Sequence, residues 1–591
     1  MSLSKSISLA LSVCGILATG PWLLPRPGFS EGEGAEPTRS TGSTVRLSRD
    51  RFSGVRLKVG TPSGLFRAQK VGDRWLFVTP EGNAFWMLGV FGVDTTDSVD
   101  DLGDSYSKRI LRKYPDKYAW GRQTVKRLKA WGFTTLAEYA TWYVLPTKSP
   151  YGEWSNPEKM PFVMLIRPSY YGLTNQGNYA RGPIKDLVAG TDPTIYTDWR
   201  SATTPDVFDP NFDAYVDGCV KLFEREVLNS PWLIGIATDD TDDLFGFGPG
   251  PEVKAARVHP HIGWLVLVGT FEQRVNSKLG ITYADSKVYS KYALRDFLRA
   301  KYRDLKALNA AWRSTYTSWD SDGGWPSGKG LLDESGRSPW VGNDWGNLSR
   351  ASPAVRADLD DFLYEYAMKY FSVCAARIRQ HAGEHLVFGP ATLNGWGGLT
   401  RKEILRAAGK YLDVLQASIS SQQVLDLVAQ YGGDIPIVTW EGIVANPDSS
   451  LWRYTNPPDG VATLKSQQDR GQAYAVRGLF LSRAKTRAGV CPVVGLKFWA
   501  FADSWGEKAN WGLVSFLDNA YDGKEAVVAR GQDDWGFPTG GEERNYGDFI
   551  SAVRRTNLAI LQSLRPDEAQ SGGLRGGEPQ GLTRGGEDAR W

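Results

Sequence analysis

Short apolar runs bounded by turn residues, with helical spacing between them, dominate the middle of this chain, and that alternation predicts parallel strands joined by crossover helices. Eight such runs occur: AFWMLGV (84–90), FTTLAEY (133–139), FVMLIRP (162–168), WLIGIATD (232–239), HLVFGPAT (385–392), LDVLQAS (412–418), IPIVTWE (435–441) and VVGLKFWAF (493–501). Amphipathic spacing marks helices over 123–131, 211–228, 358–380, 402–409, 421–431 and 467–487, and a last one over 547–564 would close the ring. Eight repeats of this kind specify a (β/α)8 barrel. The alternative is a doubly wound open sheet, which wants a Gly-rich phosphate turn after its first strand; Gly89-Val90-Phe91-Gly92 is not one. The connections after strands three and four are long, the latter running over 240–384, and both would wall a cleft. Ahead of the barrel, alternating stretches around Pro80, Glu81 and Gly82 predict a β-hairpin segment over 51–83.

The ends of the chain read differently. Residues 1–20 have one lysine, an apolar stretch over 7–17 and then small residues, the pattern of a secretory signal peptide. A short membrane anchor or a lipoprotein signal at Cys14 is the alternative, but the stretch is short for a span and Val13 is a poor neighbour for a lipidated cysteine. Polar, Gly- and Pro-rich composition over 21–50 predicts a disordered linker, and 567–591 a disordered tail, leaving 84–566 for the barrel. The expected location is secreted or periplasmic, with no membrane partner after signal removal.

Composition narrows the chemistry. With 69 Lys and Arg against 66 Asp and Glu the formal charge is +3, and no basic cluster offers itself to a phosphate backbone, so no nucleic-acid partner is expected. Cys219, Cys374 and Cys491 cannot all pair and sit in apolar contexts, so buried free thiols are expected. The four histidines stand apart from the cysteines, and His259 and His261, two residues apart, would not share a helix face, so a metal site has little support; nothing in the chain calls for a cofactor. The unusual number is 23 tryptophans, residues that need a stacking partner and a home for the indole N–H.

In a barrel the C-terminal strand ends line the active site. Here they carry Asp94, Glu138, then Asp239, Asp240, Asp242 and Asp243, then Asn394 and Trp396, Glu441, and finally Trp499, Asp503 and Trp505. Carboxylates and tryptophans are what glycoside hydrolysis requires: two carboxyl groups flanking a glycosidic oxygen, and aromatic faces for sugar rings. Glu441 follows the apolar IVTW directly and reads as a nucleophile, or as an acidic cap on the next segment. The TDDTDD cluster reads as a source of the acid, as a solvated turn, or as a cation loop, although it lacks the full spacing of a calcium loop. Glu138 could hydrogen-bond a sugar hydroxyl or be a buried acid paired to an arginine. Trp142, Trp396, Trp499 and Trp505 are candidate stacking platforms.

Seven segments in order, GDRWLFVTPEGNAFWMLGV, KRLKAWGFTTLAEY, DVFDPNFDAYV, SPWLIGIATDD, FLRAKYRDLKALNAAWRSTYTSW, IPIVTWEG and VVGLKFWAFADSWGEKANWGLVSFLDNAY, resemble glycoside hydrolases of the barrel clan with catalytic carboxylates on strands four and seven. The resemblance spans about 72–522 and is nearest to the family 50 β-agarases, with the LNAAW segment (308–312) shared by family 42 β-galactosidases. It implies an enzyme with a carbohydrate substrate, Glu441 as nucleophile, Trp499 as the floor of the sugar site, and a substrate or loop-ordering role for Glu507. The family closes strand four with Asn-Glu, the Glu being the acid/base. This chain departs there: the aligned pair is Asp239-Asp240 or Asp240-Thr241. The expected mechanism is retaining, with Asp240 as first choice for acid/base and Asp242 as second. A wider gap between the carboxyl groups would instead admit a water and invert. Two other classes compete: a carbohydrate-binding barrel that has lost catalysis, motivated by the missing Glu, and a metal-dependent hydrolase using the Asp cluster. The sugar, endo or exo action and the oligomeric state are not written in these motifs.

Overall fold

The computed structural model describes residues 47–95, 105–148, 152, 154–169, 205–223, 225–239, 289–322, 328–333, 352–390, 402–440, 466–503, 511–524, 531–532, 538–539 and 547–564. A four-stranded antiparallel sheet comes first: β1 (Val55–Lys58), β2 (Arg67–Val71), β3 (Arg74–Val78) and β4 (Asn83–Phe85), in the order β1-β4-β3-β2. Gly72, at φ +62°, and Asp73 form the two-residue turn between β2 and β3, a conformation glycine adopts without strain. The expected turn at residues 80–82 joins β3 to β4, with Thr79 N–H donating to Asn83 O at 2.9 Å. The apolar run 84–90 therefore serves two sheets: its first residues pair with β3, and after Trp86 the chain enters the barrel. The Trp86 indole fixes this crossing by donating to the carbonyl of Val493 at 3.1 Å.

The barrel strands are β5 (Met87–Val90), β6 (Thr135–Leu136), β7 (Phe162–Ile166), β8 (Leu233–Thr238), β9 (Leu386–Val387), β10 (Leu415–Gln416), β11 (Ile437–Trp440) and β12 (Val493–Phe498). Each lies inside one of the eight apolar runs. They pair in parallel in the order β10-β11-β12-β5-β6-β7-β8-β9. The two ends of that order meet at a parallel bridge between Phe388 and Val414, supported by Asp413 N–H donating to Val387 O at 3.0 Å. Closure excludes the open doubly wound sheet.

Alternation along the strands divides the core in two. Leu88, Leu136, Leu415, Leu496 and Phe498 face the helices, whereas Met87, Val163, Val414, Val438 and Val494 pack with the barrel interior. The N-terminal sheet plugs one mouth: Phe52, Phe66, Phe77 and Phe85 join the interior cluster, and Phe77 stacks on Phe388 with ring centroids 6.1 Å apart.

Helices lie in the connections as expected, with several additions. Tyr106–Lys113 and Lys117–Ala130 follow β5; Phe212–Lys221 and Arg225–Leu228 follow β7; Lys402–Tyr411, Gln422–Gly432, Gln467–Arg483 and Ile550–Gln562 follow the later strands. The long connection after β8 holds Tyr289–Tyr302, Leu305–Trp312 and the 30-residue Pro353–Ala382. Side-chain caps set several starts. Ser105, Asp116, Asp304, Ser352, Ser421 and Ser466 each accept from the backbone N–H three residues on, satisfying a donor the helix itself cannot. Among the described residues, no helix is long and apolar enough to cross a membrane, and Cys219, Cys374 and Cys491 are buried free thiols.

Candidate active site

All eight barrel strands are parallel, so their C-terminal ends share the rim opposite the aromatic plug. Of the candidate residues, Asp94, Glu138, Trp142, Asp239, Trp499 and Asp503 are described; Asp240, Asp242, Asp243, Asn394, Trp396, Glu441, Trp505 and Glu507 lie outside the described residues.

Beneath the rim runs a polar crosspiece. Lys497, on β12, points inward and is fully buried; its Nζ lies 3.0 and 3.2 Å from the two carboxylate oxygens of Glu138, just past β6. The same ammonium donates to Oε1 of Gln416 on β10, and Gln416 Nε2 donates to the carbonyl of Gly389 beyond β9 at 2.7 Å. The chain Glu138–Lys497–Gln416–Gly389 thus ties strands two, eight, six and five across the interior. Buried charge is tolerable when it is paired and hydrogen-bonded; here both carboxylate oxygens meet the ammonium, and the ammonium also donates to Gln416. Of the two readings of Glu138, a ligand for a sugar hydroxyl or a buried acid paired to an arginine, the pairing is found with a lysine in the arginine's place. Gly89 lies beside the lysine stem, where an added Cβ would stand 3.2 Å from Met87 Cε, 3.3 Å from Ala137 Cβ and 3.4 Å from Lys497 Cγ.

Above the crosspiece the site is aromatic. The ring of Phe91 lies 4.8 Å from Lys497 Nζ, 5.1 Å from Trp499 and 5.7 Å from Tyr139. Trp499 in turn meets Trp511 edge-on at 6.4 Å. Trp142 is half-buried on the loop after β6, packed against the outer core. Asp503 is turned to structural use within its loop: one oxygen accepts Gly512 N–H at 2.7 Å and the other accepts Tyr521 Oη–H. Gly512 is required there, because a Cβ would stand 2.4 Å from Asp503 N.

At the end of β8, Asp239 is 2% exposed. Its carboxylate accepts the Ser169 N–H at 3.1 and 3.2 Å, the Ser169 hydroxyl at 2.5 Å, and the hydroxyl of Tyr370 from helix Pro353–Ala382. Burial pushes its pKa up to about 6, against the lowering effect of those donors and of Arg167. Farther along the same flank Asp206 is buried beside Ser290, whose N–H and hydroxyl lie 2.9 and 2.6 Å from Oδ1. Burial drives its pKa up to about 7, with Asp209 adding to the rise.

Lys497, Gln416, Ser169 and Tyr370 escaped the sequence reading. Two of them left a signal: Lys497 in VVGLKFWAF and Gln416 in LDVLQAS are polar residues inside apolar strand runs, which buried strands accept only with a partner. Ser169 and Tyr370 left none, because their partner is 70 and 131 residues away. Among the described residues no group of three or more His, Cys, Asp or Glu could hold a metal ion.

No protein-family model matches the chain. It is 25% identical over 507 residues to β-agarase B of Vibrio sp. (strain JT0107), an alignment covering 78% of this chain and 47% of that one. Among solved structures, an agarase, AgWH50C, superimposes with a TM-score of 0.59 at 19% identity, covering 88% of this chain and 68% of that chain. An exo-β-agarase superimposes with a TM-score of 0.57 at 20% identity, covering 87% and 67%. The chain spans about half the length of the curated relatives it matches. The sequence is thus similar to curated β-agarases, and the fold is the one those agarase structures share.

Proposed function

We propose that this chain is a secreted glycoside hydrolase that cleaves O-glycosidic bonds of a galactan of the agar type. Glu441 is the nucleophile and Asp240 the acid/base, with Asp242 as the second choice. One observation carries most weight: in a closed parallel barrel, β8 ends at Thr238 and β11 at Trp440 on one rim, with the TDDTDD acids and Glu441 next in sequence. Two carboxyl groups about 5 to 5.5 Å apart would support retention through a glycosyl-enzyme; about 6.5 to 9.5 Å would support inversion. Trp499 would floor the sugar site. Trp142, Asn394, Trp396, Trp505 and Glu507 would bind the glycan along the crevice, and the Glu138–Lys497 pair would hold the floor from below.

The reading is tested on agarose oligosaccharides with the full chain. Glu441→Gln should lose nearly all hydrolysis, since no group then attacks the anomeric carbon, and removal of a nucleophile can cost up to about 10⁶-fold in kcat; undiminished hydrolysis excludes it as nucleophile. A second reading, a glycan-binding barrel without catalysis, is favoured by the Asp in place of the usual strand-four Glu. Tight binding of the same oligosaccharides with no turnover by the parent would select it.

A further inference from the structure

We infer that Asp239 is a positioning residue for the acid step of the proposed hydrolysis: its carboxylate fastens the exit of β8 to the end of β7 and to helix Pro353–Ala382, and it takes no part in holding the sugar. The inference rests on the reading given under Proposed function and assigns a role to a carboxylate that sequence alone would have put against the substrate.

Three observations lead to it. The Asp239 N–H donates to Ile166 O at 2.9 Å, which carries the β7–β8 ladder one residue beyond Thr238. At that point the backbone turns out of the strand, with Asp239 at φ +54°. This left-handed conformation is uncommon for residues other than glycine, and Asp is among the few that tolerate it. The side chain then occupies both its oxygens with local donors: Ser169 N–H to each, Ser169 Oγ–H to Oδ1, and Tyr370 Oη–H to Oδ2. At 2% exposed and already accepting three donor hydrogens over its two oxygens, this carboxylate faces its protein neighbours and not a sugar hydroxyl.

The anchors are themselves braced. Tyr370 packs with its ring 6.3 Å from Phe212, and one turn earlier Tyr366 Oη–H donates to Pro205 O at 2.6 Å. The next residue in the chain is the proposed acid. Displacing a catalytic group by about 1 Å can cost ~10²-fold in rate, so a clamp on the preceding residue is a lever on protonation of the departing oxygen. A leaving group that needs no proton should be indifferent to that lever.

The experiment compares Asp239→Ala, Asp239→Asn and Tyr370→Phe with the parent on two substrates: an agarose oligosaccharide, and the same glycone bearing a dinitrophenyl leaving group. For Asp239→Ala, kcat on the oligosaccharide should fall by ~10²-fold while kcat on the aryl glycoside falls by less than about tenfold, with KM nearly unchanged on both. Asp239→Asn keeps one acceptor oxygen for Ser169 and should show the same preference in weaker form. Tyr370→Phe should show it weakest, and these milder variants carry the comparison if the alanine variant fails to fold. A rise in KM with kcat preserved on both substrates overturns the inference in favour of direct sugar contact. Equal fractional losses on both substrates overturn it in favour of plain structural support. Glu441→Gln and Asp240→Asn, run alongside, decide the functional reading separately. Loss of leaving-group preference in the Asp239 variants, with Asp240→Asn still showing it, defeats only the clamp. A parent that hydrolyses neither substrate defeats both.

Discussion

Lys497 links opposite strands across the barrel interior. Its ammonium and the Glu138 carboxylate are both fully buried, 3.0 Å apart. Removing one partner of such a pair strands an uncompensated charge and typically destabilises by about 3–5 kcal/mol, whereas replacing both removes most of that penalty. Lys497→Met should therefore lower stability in urea unfolding by about 3–5 kcal/mol, and Lys497→Met combined with Glu138→Gln should lose distinctly less than the single variant. A single variant within about 0.5 kcal/mol of the parent would contradict the buried-pair account. A lysine inside VVGLKFWAF was visible as an anomaly in the sequence, but not its partner, because Glu138 lies 359 residues away and on another strand. Asp239 was legible as a strand-end carboxylate, which places it at the rim; that its oxygens are spent on Ser169 and Tyr370 was not.

Strands were the legible elements, for a physical reason. Parallel barrel strands are buried on both faces and read as unbroken apolar runs, so each of the eight runs contains one. Only their edges misled: the run over 84–90 is apolar throughout, yet Phe85 pairs within the N-terminal sheet and Met87 within the barrel. Helices Tyr289–Tyr302 and Leu305–Trp312 fall in the long insertion, where no strand rhythm frames them. Where two helices meet, glycines decide the distance. Helices Lys402–Tyr411 and Gln422–Gly432 approach so closely that a Cβ on Gly409 would stand 2.1 Å from the carbonyl of Gly432. The obstacle is backbone, so the helices must part. Gly409→Ala should destabilise by about 1–3 kcal/mol despite the better helix propensity of alanine, read as a lower melting temperature. A melting temperature at or above that of the parent would contradict the contact.

At the scale of the whole molecule, two buried acids set a pH dependence of opposite sign to the familiar one. Asp206 and Asp239 are raised to about 7 and about 6 by burial, above the ordinary unfolded value of roughly 3.9. Between those values the folded chain binds more protons than the unfolded one, so stability from these groups is full below about pH 4 and is lost as pH rises through 6 and 7. Asp206→Asn keeps the Oδ1 acceptor for Ser290 without the charge. Its stability relative to the parent should improve from about pH 4 to about pH 8 by up to a few kcal/mol, measured by chemical unfolding at both values. A difference independent of pH would show that Asp206 titrates normally.

The barrel brings eight strand ends to one rim, and the account of function turns on what the residue after β11 does there. The most direct measurement is mass analysis of the parent after incubation with a fluorosugar inactivator, an agarose-type glycoside whose 2-hydroxyl is replaced by fluorine so that a glycosyl-enzyme accumulates. The account predicts loss of activity in step with a single adduct on the peptide containing Glu441, at the side chain of Glu441 itself. An adduct on another carboxylate, or none while the parent turns over the unmodified sugar, would contradict it.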